Sequence, residues 1–478
     1  MKSSYPRWAG VLAAVLMIGT RLQAADLEKN LEKTFRVNPG GKLVIQADRG
    51  SITATTDGGD QVRVRIFREV KGGNKSKGEE LLANHEVSFR QEGNAVTVIA
   101  KDKRKRAWSF SLNQAWLEVR YEVTLPKRFM IDFQTAGGDV KLTDLEGDAK
   151  ERTTSGSIHF GKIDGQVEVA DAGGDIVIQE AGGDLAAHTT SGSIRVVKGG
   201  GKIEVRDAGG NIEVLEAAGD LKATTTSGRI VVGMARGEVE AVDAGGDIRI
   251  EAADKSIDAR TTSGTIRIHS VRGPLKARDA GGDIIIDQAA GDVVATTTSG
   301  SLKMKRVQGH LEAHDAGGDI RVEEIGGDAL VQTTSGPIVI GLVKGKLDAR
   351  GAGSDITVSQ TREAVTAHTT SGSIRVGFGV APQADCRLEA IGGGIQLTLP
   401  GSAALDLDAH SAGGEIKSDL PVTRRDSGRS PTGGLRGKIN GGGPVLTLRA
   451  SSGDIQIKAS AAAAPAPVQA EDEEHRTP

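Results

Sequence analysis

Large rings are nearly absent from this chain of 478 residues: Phe, Trp and Tyr together make up 3%. An ordinary globular core leans on such rings, so a conventional large domain is a poor fit to this length. Cysteine occurs once, at Cys386, which excludes an internal disulfide. Cys386 lies far from the N-terminus and so is not placed to carry a lipid anchor; it reads as a small buried apolar side chain. Charge of one sign is also missing. The formal net charge is −3 with both signs mixed along the chain, which argues against nucleic acid as a partner. Past the first residues no run is apolar enough to span a bilayer, so no integral membrane span is expected.

What the first residues do contain is the pattern of a secretory signal. Lys2 and Arg7 make a charged start, residues 8–20 an apolar stretch too short to cross a membrane comfortably, and "LQAA" at 22–25 a small-residue cleavage site. Residues 1–25 are expected to be removed, leaving an exported protein, periplasmic or extracellular at the cell surface.

Glycine is abundant, with 66 copies, and it is placed periodically. From Thr135 the chain divides without slip into fourteen units of eighteen residues. Thr-Thr-Ser-Gly opens the units at 153, 189, 225, 261, 297, 333 and 369, and Asp-Ala-Gly-Gly those at 171, 207, 243, 279 and 315. The true period is therefore thirty-six, two alternating units. Within each unit the sixth and eighth residues are apolar, as in Ile176 and Ile178, and the fifteenth and seventeenth usually so, as in Leu185 and Ala187. Short runs of period-two alternation broken by glycine read as strands and turns. The fourth-position glycines Gly174, Gly192, Gly210, Gly228, Gly246, Gly264, Gly282, Gly300, Gly318 and Gly336 are expected at structural turns that need either positive φ or close backbone approach.

One unit buries too few aliphatic side chains to offset the entropy of its own backbone, so the units must stack. The fold expected is all-β: a single-stranded β-solenoid, β-helix or β-roll-like, with coils of eighteen residues, two short strands per coil and parallel ladders over 135–386. At ~4.8 Å per coil, fourteen coils give a rod about 65 Å long. Alternating Asp with Thr at the first position keeps like charges from stacking at that spacing. Residues 26–134 hold most of the remaining aromatics and read as a β-rich N-terminal region with an insertion and a short helix at 79–84, capping an otherwise sticky end. Irregular coils follow at 387–460, and 461–478 has the composition of a disordered tail.

Four stretches carry a resemblance: "FRVNPGGKLVIQADRGSITA", "VTLPKRFMIDFQTAGGDVKL", the run of Ser-Gly-x-Ile and Gly-Gly-Asp-Ile turns, and "LRGKINGGGPVLTLRASSGDIQI". Together they span about 35–460, and over that span the chain resembles the bacterial putative-adhesin domain family, a β-strand-repeat domain of unknown function. The resemblance implies a β-solenoid and an exported protein, and it supplies no catalytic motif.

The repeated aspartates invite a calcium reading. Calcium-binding β-rolls use Gly-Gly-x-Gly-x-Asp, whereas here Gly-Gly-Asp runs straight into Ile and every second coil lacks the aspartate. They read instead as solvated turn carboxylates, with no metal and no cofactor. A polysaccharide lyase or hydrolase is the alternative from another class; it needs one singular carboxylate cluster, and the repeats offer many equal copies. Seven Thr-Thr-Ser-Gly serines without a nucleophile elbow read as hydrogen-bonded turns. The one asymmetric surface feature is the basic run Lys101, Lys103, Arg104, Lys105 and Arg106, followed by Trp108 and Trp116. Its bland reading is a solvated hairpin loop; its sharper one is contact with an anionic envelope polymer or a protein, with the tryptophans as anchors. Arg424, Arg425 and Arg429 offer the same chemistry at the other end. The sequence thus reads as a non-enzymatic, adhesin-like binding or spacer protein of the envelope, acting as a monomer.

Overall fold

The computed structural model describes residues 27–103, 115–424 and 433–460. The repeat stacks into a β-solenoid in which each coil gives one strand to each of two facing sheets. A regular coil holds a six-residue strand such as Ile230–Ala235 and a four-residue strand such as Val239–Val242. Their burial alternates as the sequence does, with Ile230, Val232, Val239 and Ala241 inside. Every strand pairs in parallel with its equivalent eighteen residues on, from Ile131↔Ala149 to Ile356↔Ile374. The corner amides continue these ladders, as in Ile230 N–H to the Asp247 carbonyl at 2.9 Å.

Beyond that point the spacing grows to twenty-one residues, at Thr366↔Arg387 and Ile374↔Ile395. Cys386, the first residue of its strand, is buried, and burial pushes its thiol up.

The stacking order departs from chain order at both ends. Strand Gly41–Ala47 lies between Ala95–Asp102 and Phe129–Thr135, and Ser51–Asp57 between Trp116–Pro126 and Val140–Leu142. The first coil in sequence is thus second in space. At the other end Val445–Ala450 lies between Cys386–Ala390 and Leu405–Ser411, and Ile455–Ser460 between Ile395–Pro400 and Ile416–Ser418. The last coil in sequence is second from the end. Antiparallel strands close both ends: Gln61–Lys71 on Trp116–Pro126 and His85–Glu92 on Ala95–Asp102 at one, Gly434–Ile439 on Leu405–Ser411 at the other. Such strands cover ladder edges that would otherwise recruit another chain.

The helix of the N-terminal cap begins earlier than expected, at Lys75–Asn84, because Asn74 caps it, its side-chain oxygen accepting the Lys77 N–H at 2.9 Å. The large rings gather at this end of the core, where Tyr121, Phe129, Phe133 and Phe160 are almost fully buried. No helix among the described residues is long and apolar enough to cross a membrane.

Candidate functional site

The corner tetrads are scaffold. Asp171 at a corner accepts the Gly173 and Gly174 N–H groups at 3.1 and 2.6 Å, which closes its own turn. Thr189, one coil on, donates its hydroxyl to the Gly174 carbonyl at 3.2 Å, which ties two coils together. The same Thr contact recurs at Thr225, Thr261, Thr297 and Thr333. These first-position aspartates are not solvated: Asp207 and Asp243 are 5% and 3% exposed, and burial pushes the Asp207 carboxyl up against the pull of its backbone N–H partners. The alternation is therefore a division of labour as well as a spacing of charge. Two further aspartate columns bridge coils directly, as Asp175 accepts the Ser193 N–H and Asp184 the Lys202 N–H, at 2.8 and 2.9 Å.

The turn glycines serve close approach. A Cβ on Gly174, Gly192, Gly210, Gly228, Gly246, Gly264, Gly282, Gly300, Gly318 or Gly336 would lie 1.7–2.0 Å from the carbonyl oxygen of the glycine eighteen residues earlier. Positive φ appears instead at the N-terminal end of the column, at Gly138 (122°) and Gly156 (125°). In the unit that opens at Gly351 the fourth position is Ser354 rather than glycine, and a Cβ on Gly351 would lie 2.6 Å from the Ser354 hydroxyl.

The outer faces of the shaft carry charges that neutralise one another from coil to coil. Lys150 meets Glu168 at 2.6 Å, Lys222 meets Glu240 at 2.8 Å, Arg272 meets Asp254 at 2.6 Å, and Arg195 meets Glu213. Exposed pairs of this kind add little stability, so their effect is on surface charge. Among the described residues no three His, Cys, Asp or Glu side chains are grouped to hold a metal.

The N-terminal cap is different. In regular coils four or five residues, such as 316–319 or 243–247, lead from one coil's short strand to the next six-residue strand; in the outermost coil residues 103–115 separate Ala95–Asp102 from Trp116–Pro126. Of the basic run, Lys101 is exposed and Lys103 pairs with Glu86 at 3.0 Å, while Arg104, Lys105, Arg106 and Trp108 lie outside the described residues. Trp116 stands 59% exposed. At the other end Arg424 is exposed on its strand, and Arg425 and Arg429 lie outside the described residues.

In the same cap, six polar side chains converge. Arg49 Nη2 binds Asp102 Oδ2 at 2.8 Å, the Asp102 N–H donates to Asp48 Oδ2 at 2.9 Å, and Arg68 donates to the backbone carbonyls of Lys29 and His85 at 3.1 and 3.2 Å. His85 and Tyr121 are 2% and 1% exposed. Four buried polar atoms here have no hydrogen-bond partner: both His85 ring nitrogens, Tyr121 Oη and Arg49 Nε. Burial, then Arg68 and Arg49, push the His85 imidazole down to about 4; burial and Asp48 push the Tyr121 hydroxyl up; burial pushes Arg68 down. Alternation in "QVRVRIFREV" puts Arg68 on the inward phase with Val62, Val64 and Ile66, a signal the sequence reading passed over.

A second buried group stands alone. Glu151 is fully buried in the column between Phe133 and Val169, and both its carboxylate oxygens lack partners. Burial, reinforced by Asp132 and Asp171, pushes its carboxyl up to about 9. It occupies the seventeenth position of its unit, apolar in the coils that follow, and that break was legible.

The Toastrack DUF4097 family matches residues 41–274 and 272–458. The chain belongs to that family. The two matched segments meet in the middle of the regular shaft, so the family pattern spans caps and coils alike. No curated protein matches the chain. Among solved structures it is similar to a putative cell adhesion protein from Clostridium sporogenes, at 9% identity over 90% of this chain and 100% of that one, with a TM-score of 0.15. It is also similar to putative adhesins from Bacteroides fragilis (16% identity, 54% and 96% covered, TM-score 0.22) and Parabacteroides distasonis (12%, 66% and 97%, 0.18). At those scores the likenesses carry no argument.

Proposed function

We propose that this Toastrack protein is an exported, non-enzymatic rod of the cell envelope, a spacer shaft with its binding end at the N-terminal cap. The observation that carries the reading is the contrast along the molecule. The shaft repeats one neutralised surface coil after coil, with its carboxylates and hydroxyls committed to holding corners. The N-terminal cap gathers an exposed tryptophan, exposed lysines and unpartnered buried polar groups in one place. A polysaccharide-acting enzyme would set its catalytic carboxylates in one exposed cluster along the shaft.

The reading is tested by protease treatment of intact cells, with immunodetection before and after the outer membrane is permeabilised. Digestion on intact cells is expected for an adhesin-like role. Protection until permeabilisation overturns that role and leaves a periplasmic spacer.

A further inference from the structure

We propose that a hollow at the C-terminal end of the shaft binds an uncharged sugar. The inference goes beyond the reading of the N-terminal cap as the binding end. It gives the rod a second contact at its opposite end, and it stands or falls independently of the first.

The hollow lies on the outer face of four neighbouring parallel strands, Ile356–Thr361, Ile374–Phe378, Ile395–Pro400 and Ile455–Ser460. Its volume is about 320 Å³. That is near the lower end of the range for small-molecule sites, ~300–1,000 Å³, and suits a short saccharide. Two departures from the regular coil produce it. The first is a slip in the ladder between Val358 and Thr361, where Ser359 and Gln360 together face Gly377. The coil before matches residue for residue over the same stretch. A bulge of this kind re-aims side chains and recurs beside binding sites. Gly377 adds no side chain, so the space beneath Ser359 and Gln360 stays open. The second departure is in charge. Earlier coils pair acids with bases on this face, as at Arg249–Glu251, Lys303–Asp283, Lys305–Asp287 and Arg306–Glu324. Around the hollow stand Thr357, Ser359, Gln360, Gln396, Thr398 and Ser460, all uncharged. None of these six side chains has a hydrogen-bond partner among the described residues. Arg375 is the one charged group of the lining, and Asp355 balances it at 3.3 Å. Thr357, Arg375 and Gln396 lie directly opposite one another, as do Gly377 and Thr398, so their groups are spaced at ~4.8 Å. Four hydroxyls and two carboxamides each donate and accept. Sugar hydroxyls also do both and carry no charge. An ion of either sign meets no net charge here. An extended peptide needs pockets for its alternate side chains. Val358, Val376 and Phe378 are instead sealed into the floor, 1%, 2% and 4% exposed.

Saturation-transfer NMR of the mature protein with glucose, galactose, mannose, N-acetylglucosamine, cellobiose and lactose tests this, with sodium glucuronate and glucosamine as charged controls. Transfer to at least one uncharged sugar is expected, with the same affinity at low and high sodium chloride. A disaccharide that binds more tightly than its monosaccharide identifies an internal stretch of glycan as the occupant; equal binding identifies a single terminal sugar. Either sustains the site. Gln396→Leu and Thr398→Val keep the shape and remove the polar groups, so each should weaken binding about 3- to 10-fold. Thr398→Val keeps the test alive if Gln396→Leu fails to fold. Arg249→Gln, far along the same face, should leave binding unchanged. Bound sugar should also slow hydrogen exchange in peptides spanning 356–378 and 395–400, with 225–260 unaffected. No transfer to any of the uncharged sugars, binding that neither variant weakens, or preference for glucuronate or glucosamine overturns the proposal, whatever protease treatment of cells shows.

Discussion

Replacing Glu151 should stabilise the protein, and by an amount that grows with pH. The unfolded carboxyl titrates near 4.5 and the folded one near 9. Between those values the folded state keeps a proton that the unfolded state releases, so stability is greatest below about pH 4.5 and is lost as pH rises towards 9. Each pH unit in that window is worth about 1.4 kcal/mol, so wild-type protein gives up about 3 kcal/mol at pH 7 relative to acid. Glu151→Gln keeps the shape and removes the titration. Its advantage over wild type should widen by about 4 kcal/mol between pH 5 and pH 8. Glu151→Val, which continues the column through Val169, should add about 1–3 kcal/mol more by removing an unpartnered polar group. A long stack does not unfold in one step, so the assay should be local: hydrogen exchange of peptides spanning 129–170, with peptides from 225–260 as the internal control. Equal gains at pH 5 and pH 8 would refute the reasoning, since Glu151 would then not be held neutral.

Other substitutions separate scaffold from surface. Gly228→Ala puts a Cβ 1.7 Å from the Gly210 carbonyl oxygen and should lower local stability by about 3 kcal/mol, read as faster hydrogen exchange in peptides spanning 207–235. Gly209→Ala, one residue from an equivalent corner and 3.5 Å from its nearest neighbour, should change it by less than about 0.5 kcal/mol. Thr225→Val leaves the Gly210 carbonyl and the Gly228 N–H without their hydroxyl partner and should cost about 1–3 kcal/mol by the same exchange measurement, with Thr225→Ser recovering most of it. Ending the chain at Pro444 removes the strands against which Leu405–Ser411 and Ile416–Ser418 pack, so trypsin should cut 401–444 while coils before 374 stay resistant. Ending it at Ser460 should leave the resistance unchanged.

The shaft was legible because its two strongest constraints are periodic. A strand that must stack on its own copy repeats its apolar phase, and a corner where backbones meet at van der Waals limits admits only glycine, so Ile176, Ile194 and Gly192 announce the coil length by themselves. What periodicity conceals is the role of each polar residue within it. Asp171 and Thr189 look alike as turn formers, and only the structure shows that one closes its own corner while the other reaches back a coil. The basic run at 101–106 was found by its charge, whereas the polar cluster in the same cap was missed. Its members, Asp48 and Arg49 at one corner and Arg68, His85, Asp102 and Tyr121 on four strands, share no spacing; Arg68 breaks the apolar phase of its own strand, whereas His85 is conspicuous only once the strands are in register.

The order of the end coils lay beyond any reading of period. A repeat fixes which strands are equivalent, and equivalence says nothing about which of two irregular coils sits outermost. The arrangement found has a physical logic that applies to both ends. A terminal coil stacked last would hold on through one ladder and would fray from its free end. Here Gly41–Ala47 and Ile455–Ser460 each have a ladder on both sides. The outermost positions go instead to coils whose chain continues in both directions and whose edges, that of Ile416–Ser418 excepted, meet antiparallel strands of the caps. Fraying of either end coil must therefore break two ladders, or first remove a cap.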